Sequence, residues 1–159
     1  MSKRMRELFE DARRNGRKLF IPYVTAGYPT MMDTVPILLA AEAGGADIIE
    51  IGVPFTDPMA DGATIQHANQ IALEHGISVQ GCFDIVREAR DKGLKAPIVL
   101  MSYYTPLYSR GEARAVAEAK AAGADGFIVV DLPAEESGNF LAACRANDMS
   151  LIPLVAPTS

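Results

Sequence analysis

A repeating strand–helix order predicts an α/β protein built on a parallel sheet, and three features of the chain carry that expectation. Short apolar runs alternate with stretches of helical length along the whole sequence. Within the strands apolar residues follow one another instead of alternating with polar ones, the pattern of strands buried on both faces. The chain also echoes itself: Gly45-Ala46-Asp47 leads into Ile-Ile-Glu-Ile-Gly-Val-Pro, and Gly123-Ala124-Asp125 leads into Gly-Phe-Ile-Val-Val-Asp-Leu-Pro. Such repetition suits a (β/α) barrel, although a doubly wound sheet shows much the same rhythm. No Gly-x-Gly-x-x-Gly follows the first strand and there is no P-loop, which favours the barrel.

Taken in order, the N-terminus reads as an amphipathic helix with Met5, Leu8, Phe9 and Ala12 on one face. Lys18 to Val24 is a first strand, ending at the Thr25-Ala26-Gly27 turn. Asp33 to Ala43 is a helix that tolerates Pro36 in its first turn. Asp47 to Gly52 forms the second strand, followed by helices from Gly62 to His75 and from Ser78 to Lys92, the latter with Ser78 as N-cap. Pro97 to Met101 is the third strand, Glu112 to Ala122 its helix, Gly126 to Val130 the fourth strand and Pro133 to Ala146 its helix. Ser150 to Val155 is the fifth strand.

The 159 residues are enough for one domain with a sizeable core, here a single incomplete barrel over residues 1–159. A net charge of −5 argues against binding nucleic acid, which needs a basic surface. No apolar run approaches a membrane span, and the basic N-terminus lacks the apolar core of a signal peptide. Two cysteines, Cys82 and Cys144, both in expected helices, fit a reducing, cytoplasmic setting.

The chemistry concentrates between Asp47 and Gly62. Glu50 interrupts a run of β-formers, and eleven residues later Asp61 sits in a loop punctuated by Pro54, Pro58 and Gly62. Strand periodicity puts Ile48, Glu50 and Gly52 on one face, and the small Gly52 points to the barrel interior. A carboxylate in an apolar strand needs partners or holds its proton, whereas one on a loop ionises more readily. Two acids in contrasting surroundings are raw material for acid/base catalysis. Each also has a plain structural reading: Glu50 as a satisfied buried acid, and Asp61 or Asp57 as a helix cap. His67 and His75 have no partner at metal-ligand spacing, so no metal site is expected, and Cys82 reads as core. One of Tyr103 and Tyr104 is expected to face the barrel mouth, or else to pack as a core aromatic.

The residues resemble one family, the α subunit of tryptophan synthase, over essentially the whole chain. The resemblance lies in Ile21-Pro22-Tyr23-Val24-Thr25-Ala26-Gly27-Tyr28-Pro29, in Glu50-Ile51-Gly52-Val53-Pro54-Phe55-Thr56-Asp57-Pro58-Met59-Ala60-Asp61-Gly62, and then in Ile65-Gln66, Pro97-Ile98-Val99-Leu100-Met101 and Val130-Asp131-Leu132-Pro133. It implies a (β/α)₈ barrel that cleaves indole-3-glycerol phosphate to indole and glyceraldehyde 3-phosphate. It implies Glu50 as the acid/base residue and Asp61 as acceptor of the indole N–H, with a raised pKa for the first and an ordinary one for the second. The implied substrate-binding residues are Tyr23, Ile65, Met101, Tyr103, Ile128, Val130 and Leu154. Pro54, Phe55 and Asp57 resemble the loop that docks on the β subunit. Pyridoxal phosphate belongs to that partner, so no cofactor is expected in this chain.

The chain departs from the family at Ala63, Ser102 and Thr105, where Pro, Gly and Asn are common; Ala63 leaves the Asp61 loop freer than a proline would. A barrel of this kind runs to about 250 residues, whereas this sequence stops just after the fifth expected strand. Strands six to eight and the loops that would hold the phosphate are therefore expected to be missing, and the isolated chain to be weak or inactive. The alternative expectation is a non-catalytic module that keeps the docking loop.

Overall fold

The computed structural model describes residues 1–157. Five parallel strands, β1 (Tyr23–Thr25), β2 (Ile49–Gly52), β3 (Ile98–Ser102), β4 (Gly126–Val129) and β5 (Ser150–Ile152), pair in the order β1-β2-β3-β4-β5. A doubly wound sheet reverses direction from a central strand, whereas a barrel adds each new strand beside the last. The sequential order therefore selects the barrel-type arrangement, an α/β fold of five successive units.

The register divides the strands into two faces. Ile49, Ile51, Ile98, Leu100, Phe127 and Val129 belong to the main core beneath α2 (Thr34–Ala43), α4 (Val79–Asp91), α6 (Glu112–Ala122) and α7 (Gly138–Ala146). Those helices pack α2 on α4, α4 on α6 and α6 on α7, forming a single outer layer. Phe127 and Phe140 meet edge to face at 5.3 Å where β4 and α7 close the core. The other face carries Tyr23, Glu50, Val99, Gly126 and Ser150 in one row of register partners, and Gly52, Met101, Ile128 and Ile152 in the next. Helix α1 (Lys3–Arg14) lies against this inner face, where Met5 joins Ile48 and Val99 in a second cluster with Leu8, Ile128 and Ile152 against it. Phe9, expected on the same apolar stripe, is 40% exposed and lines a cavity beside that cluster. Gly126 has no room for a side chain, since a Cβ there would lie 2.8 Å from the Ser150 carbonyl oxygen.

Several boundaries differ from the sequence expectation, each for a local reason. β1 begins at Tyr23 instead of Lys18, although the Phe20 and Pro22 carbonyls still accept hydrogen bonds from Asp47 and Glu50. β5 ends at Ile152, ahead of Pro153. Residues 133–137, expected as the start of a helix, form turns in which the Glu136 and Ser137 N–H groups reach back to Pro133 and Ala134, and α7 starts at Gly138. Helix α5 (Tyr104–Arg110) was not expected; its first N–H is capped by the Asp131 side chain at 2.6 Å, a contact made from the loop after the next strand. Helix α3 (Ala63–Glu74) and α4 match their expected spans, and the Ser78 hydroxyl caps α4 by accepting the Gly81 N–H at 3.1 Å. Cys82 and Cys144 are buried thiols in α4 and α7, and burial pushes both up to about 12. Among the described residues no helix is long and apolar enough to cross a membrane.

Candidate active site

Glu50 sits on β2 with its side chain on the inner face. Its carboxylate makes no hydrogen bond or ion pair with a described residue, and burial alone pushes its pKa above the ordinary range. The reading of Glu50 as an acid satisfied by its neighbours thus finds no partner, and an unpaired acid of raised pKa in a cavity wall is what acid/base chemistry requires. It lines an apolar cavity of about 350 Å³ together with Ile48, Val99, Ile128, Ile152 and, from α1, Met5.

Asp61 lies in the loop between β2 and α3, and it is not a cap: the N-cap of α3 is Gly62. Its backbone carbonyl accepts from Gln66 Nε2 at 2.8 Å, while its carboxylate accepts from Asn69 Nδ2 at 3.2 Å. The Tyr103 hydroxyl accepts the Ala60 N–H at 2.8 Å, which holds its phenol beside the hollow that Asp61 faces. Burial nevertheless dominates, so the Asp61 pKa is also raised, with the bond from Asn69 pulling it back. The ordinary value expected from an exposed loop therefore does not hold, because that loop folds down over the ends of β2 and β3.

Asp61 faces a hollow of about 10 Å³, lined also by Tyr23, Gly52, Asn69, Met101, Tyr103 and Val130. That is room for about one water. Five of the expected site residues thus meet here: Tyr23, Asp61, Met101, Tyr103 and Val130. Glu50 and Ile128 line the neighbouring cavity instead. Ile65 lies half-buried on α3, and Leu154, 55% exposed, follows β5 and lines neither space. Of the two tyrosines at the end of β3, Tyr103 faces the hollow, whereas Tyr104 donates to Glu112 on the outer side at 2.9 Å.

Tyr23 links the two acids. It is the β1 register partner of Glu50, and its ring leans over Gly52, where a Cβ would collide with the hydroxyl. Burial raises its pKa, and the charges of both Asp61 and Glu50 push in the same direction.

The loop ahead of Asp61 buries Pro54, half-buries Phe55 and exposes Asp57. Phe55 stacks at a tilt on Tyr103 at 5.3 Å, which couples this loop to the hollow. Phe55 and Pro58 also form one wall of an open groove of about 660 Å³ whose other wall is α3, through Gln66, His67, Gln70 and Leu73. Asn69 was missed by sequence reasoning. Its only signal is its place in α3, eight residues beyond Asp61, at a position otherwise expected to be apolar. His75 instead sets its ring against the Gly27 carbonyl at 3.2 Å. Among the described residues no group of three His, Cys, Asp or Glu side chains could hold a metal ion.

A sequence profile of the family described as tryptophan synthase alpha chain matches residues 9–159. The chain is 47% identical over its whole length to a Saccharomyces cerevisiae tryptophan synthase, of which it spans 22%. It is 45% identical to the tryptophan synthase alpha chain of Chloroflexus aggregans, the match covering 98% of this chain and 58% of that one. Among solved structures, tryptophan synthase subunit alpha from Legionella pneumophila superposes with a TM-score of 0.95 at 37% identity, covering 99% of this chain and 60% of that one. A chain of the tryptophan synthase complex from Pyrococcus furiosus superposes with a TM-score of 0.83 at 43% identity, over 89% of this chain and 58% of that one. This chain thus spans 58–60% of the length of the alpha chains described here.

Proposed function

The chain belongs to the tryptophan synthase alpha chain family, and on that premise we propose that it carries the catalytic pair of a lyase that cleaves indole-3-glycerol phosphate to indole and glyceraldehyde 3-phosphate. The observation that carries this reading is that one aromatic ring neighbours both acids: Tyr23 is the register partner of Glu50 and lines the hollow that Asp61 faces. Two acids beside one ring, on the inner face and at the strand ends, are placed to act on a flat substrate.

The chemistry assigns each acid a role. Indole C3 must take a proton before the bond to the glycerol chain can break, and the hydroxyl on the departing carbon must lose one as it becomes the aldehyde. One proton enters and one leaves, so a single carboxyl can serve both steps in turn. Glu50, unpaired and with a raised pKa, holds a proton at higher pH than an exposed acid would. Protonation at C3 puts positive charge on the ring nitrogen, and the Asp61 carboxylate stabilises it by accepting the N–H. Asn69 and Tyr103 favour the ionised form that this needs. Met101, Ile128 and Val130 supply an apolar wall, and Tyr103 an aromatic one, for the ring.

In the same reading Phe55 and Asp57 form the docking surface for a β-type partner, which would hold pyridoxal phosphate and receive the indole, while Pro54, expected on that surface, is buried beneath it. The contact of Phe55 with Tyr103 would let that surface feel the state of the slot. The test is indole release from indole-3-glycerol phosphate by this chain. Slow release is expected, falling to the solution background in Glu50→Gln; release that survives the substitution overturns the assignment.

A further inference from the structure

Asn69 is 3% exposed, and its Oδ1 is buried with no hydrogen-bond partner. Among the described residues no other side-chain nitrogen or oxygen is left in that state. Such an atom gives up water on folding and gains no bond in return, which destabilises the fold. The position does not demand an amide. Asn69 shares the buried face of α3 with Ala68 and Ala72, where an apolar side chain would leave no atom unmet. Turning the amide over is no cure, since Oδ1 would then face the Asp61 carboxylate.

The other end of the amide gives the reason for it. Nδ2 donates to Asp61 Oδ2 at 3.2 Å, reaching from the buried face of a helix to a loop that has Ala63 where a proline would stiffen it. Both residues line the hollow of about 10 Å³, beside Tyr23, Met101 and Tyr103. No cation is among the groups that act on Asp61. A guanidinium or ammonium there would neutralise the carboxylate and compete for it. A neutral amide directs the carboxylate and leaves its charge to a ligand.

We propose that Asn69 is a positioning residue, whose buried amide ties the Asp61 carboxylate to α3 and presents it to the N–H of a heteroaromatic ring at the strand ends. This rests on the lyase reading above and adds to it the group that aims the acceptor. The orphaned Oδ1 is what that placement costs in stability.

Asn69→Leu keeps the branched shape without the donor, and Asn69→Ala does the same with less bulk. Carboxyl-carbon NMR, with the Asp61 signal assigned by Asp61→Asn, is expected to show Asp61 titrating at higher pH in both variants, because the bond from Asn69 favours its ionised form. Relative to the parent, each variant is expected to melt higher at about pH 3 than at about pH 7, since the missing bond counts most while Asp61 is ionised. In an Asp61→Asn background that difference should vanish. Tyr23 from β1 and Tyr103 from the end of β3 face the same hollow, and burial raises both phenols, so neither titrates in this range. Glu50 on β2 titrates alike in all the variants. The chain contains no tryptophan, so the fluorescence of added indole reports its binding, which both Asn69 variants should weaken about tenfold. An Asp61 signal that titrates alike in the parent and both variants, or a melting temperature lowered equally at both pH values, overturns the proposal and leaves the lyase reading standing. Indole binding that is absent from the parent, or indifferent to Asp61→Asn, removes the lyase reading and with it the ligand at which Asn69 aims the carboxylate.

Discussion

At the entry to β4, Asp125 is 3% exposed, and its carboxylate accepts from Arg4 Nη1 at 3.0 Å, from Arg90 Nη2 at 2.9 Å and from the Ile98 N–H at 3.0 Å. On the inner face of β2, Glu50 is half-buried and its carboxylate has no such partner among the described residues. Both are acids in an apolar sheet, yet one is fully compensated and the other left exposed to whatever enters the cavity. The same division runs between the two ends of the strands. At the entry end Asp47 accepts from Arg17 and the Phe20 N–H, and Glu42 accepts from the N–H groups of Lys95 and Ala96. At the exit end the Asp61 carboxylate accepts from Asn69 Nδ2 alone and lines the small hollow. Acids at the entry end staple the chain together; Glu50 on the inner face and Asp61 at the exit end border open space instead.

The largest test of this contrast is Asp125→Ala. It strands the Arg90 guanidinium, which also holds the Gly123, Leu94 and Ala96 carbonyls, and it orphans the Ile98 N–H. Removing one partner of a buried, bonded charge pair costs about 3 kcal/mol or more. Urea denaturation of the parent and variant measures the loss, and a change below about 1 kcal/mol would place Asp125 with the weak surface pairs and erase the distinction.

A smaller effect is expected at Gly52, where the exit-end packing can be read directly. Gly52→Ala puts a methyl group where the Tyr23 hydroxyl lies, and such overpacking costs about 1–3 kcal/mol. Because the clash is with one side chain, Tyr23→Ala in the same chain should remove most of it. A double-mutant cycle by denaturation checks this; additive effects would mean that the ring does not occupy the notch.

Much of this was legible in the order of residues. The β/α rhythm, the N-cap at Ser78 and the placement of Glu50 and Gly52 on one face all follow from local patterns that packing leaves unchanged. What the sequence does not show depends on contacts made across the fold. Helix α5 is capped by Asp131 from a distant loop. The choice between barrel and doubly wound sheet rests on strand order, which short-range periodicity does not encode. Asp61 before Gly62 has the local look of a cap, and only the approach of Asn69 and Tyr103 turns it into a held carboxylate. Likewise, nothing in the spacing of Tyr23 and Gly52 shows that a ring from one strand fills the notch in the next.

The finest comparison sets Glu50 against Asp47, two acids three residues apart whose pKa values move in opposite directions. The Phe20 N–H, aided by Arg17, holds Asp47 below its ordinary 3.8, so its ionised form favours the fold. Its contribution is present above pH 3.8 and is lost as the pH falls through the lower folded value. Burial lifts Glu50 above its ordinary 4.5, so it is the protonated form that favours the fold. That contribution is complete below pH 4.5 and is lost as the pH rises through the higher folded value. Glu50→Gln should therefore raise the melting temperature at neutral pH, with the gain shrinking to nothing below pH 4.5. Asp47→Asn should lower it at neutral pH, with the loss fading only at still lower pH. Melting curves for the three proteins between about pH 3 and pH 8 separate the two cases. If Glu50→Gln destabilises at neutral pH, the carboxylate has a stabilising partner after all, and it belongs with the stapled acids of the entry end.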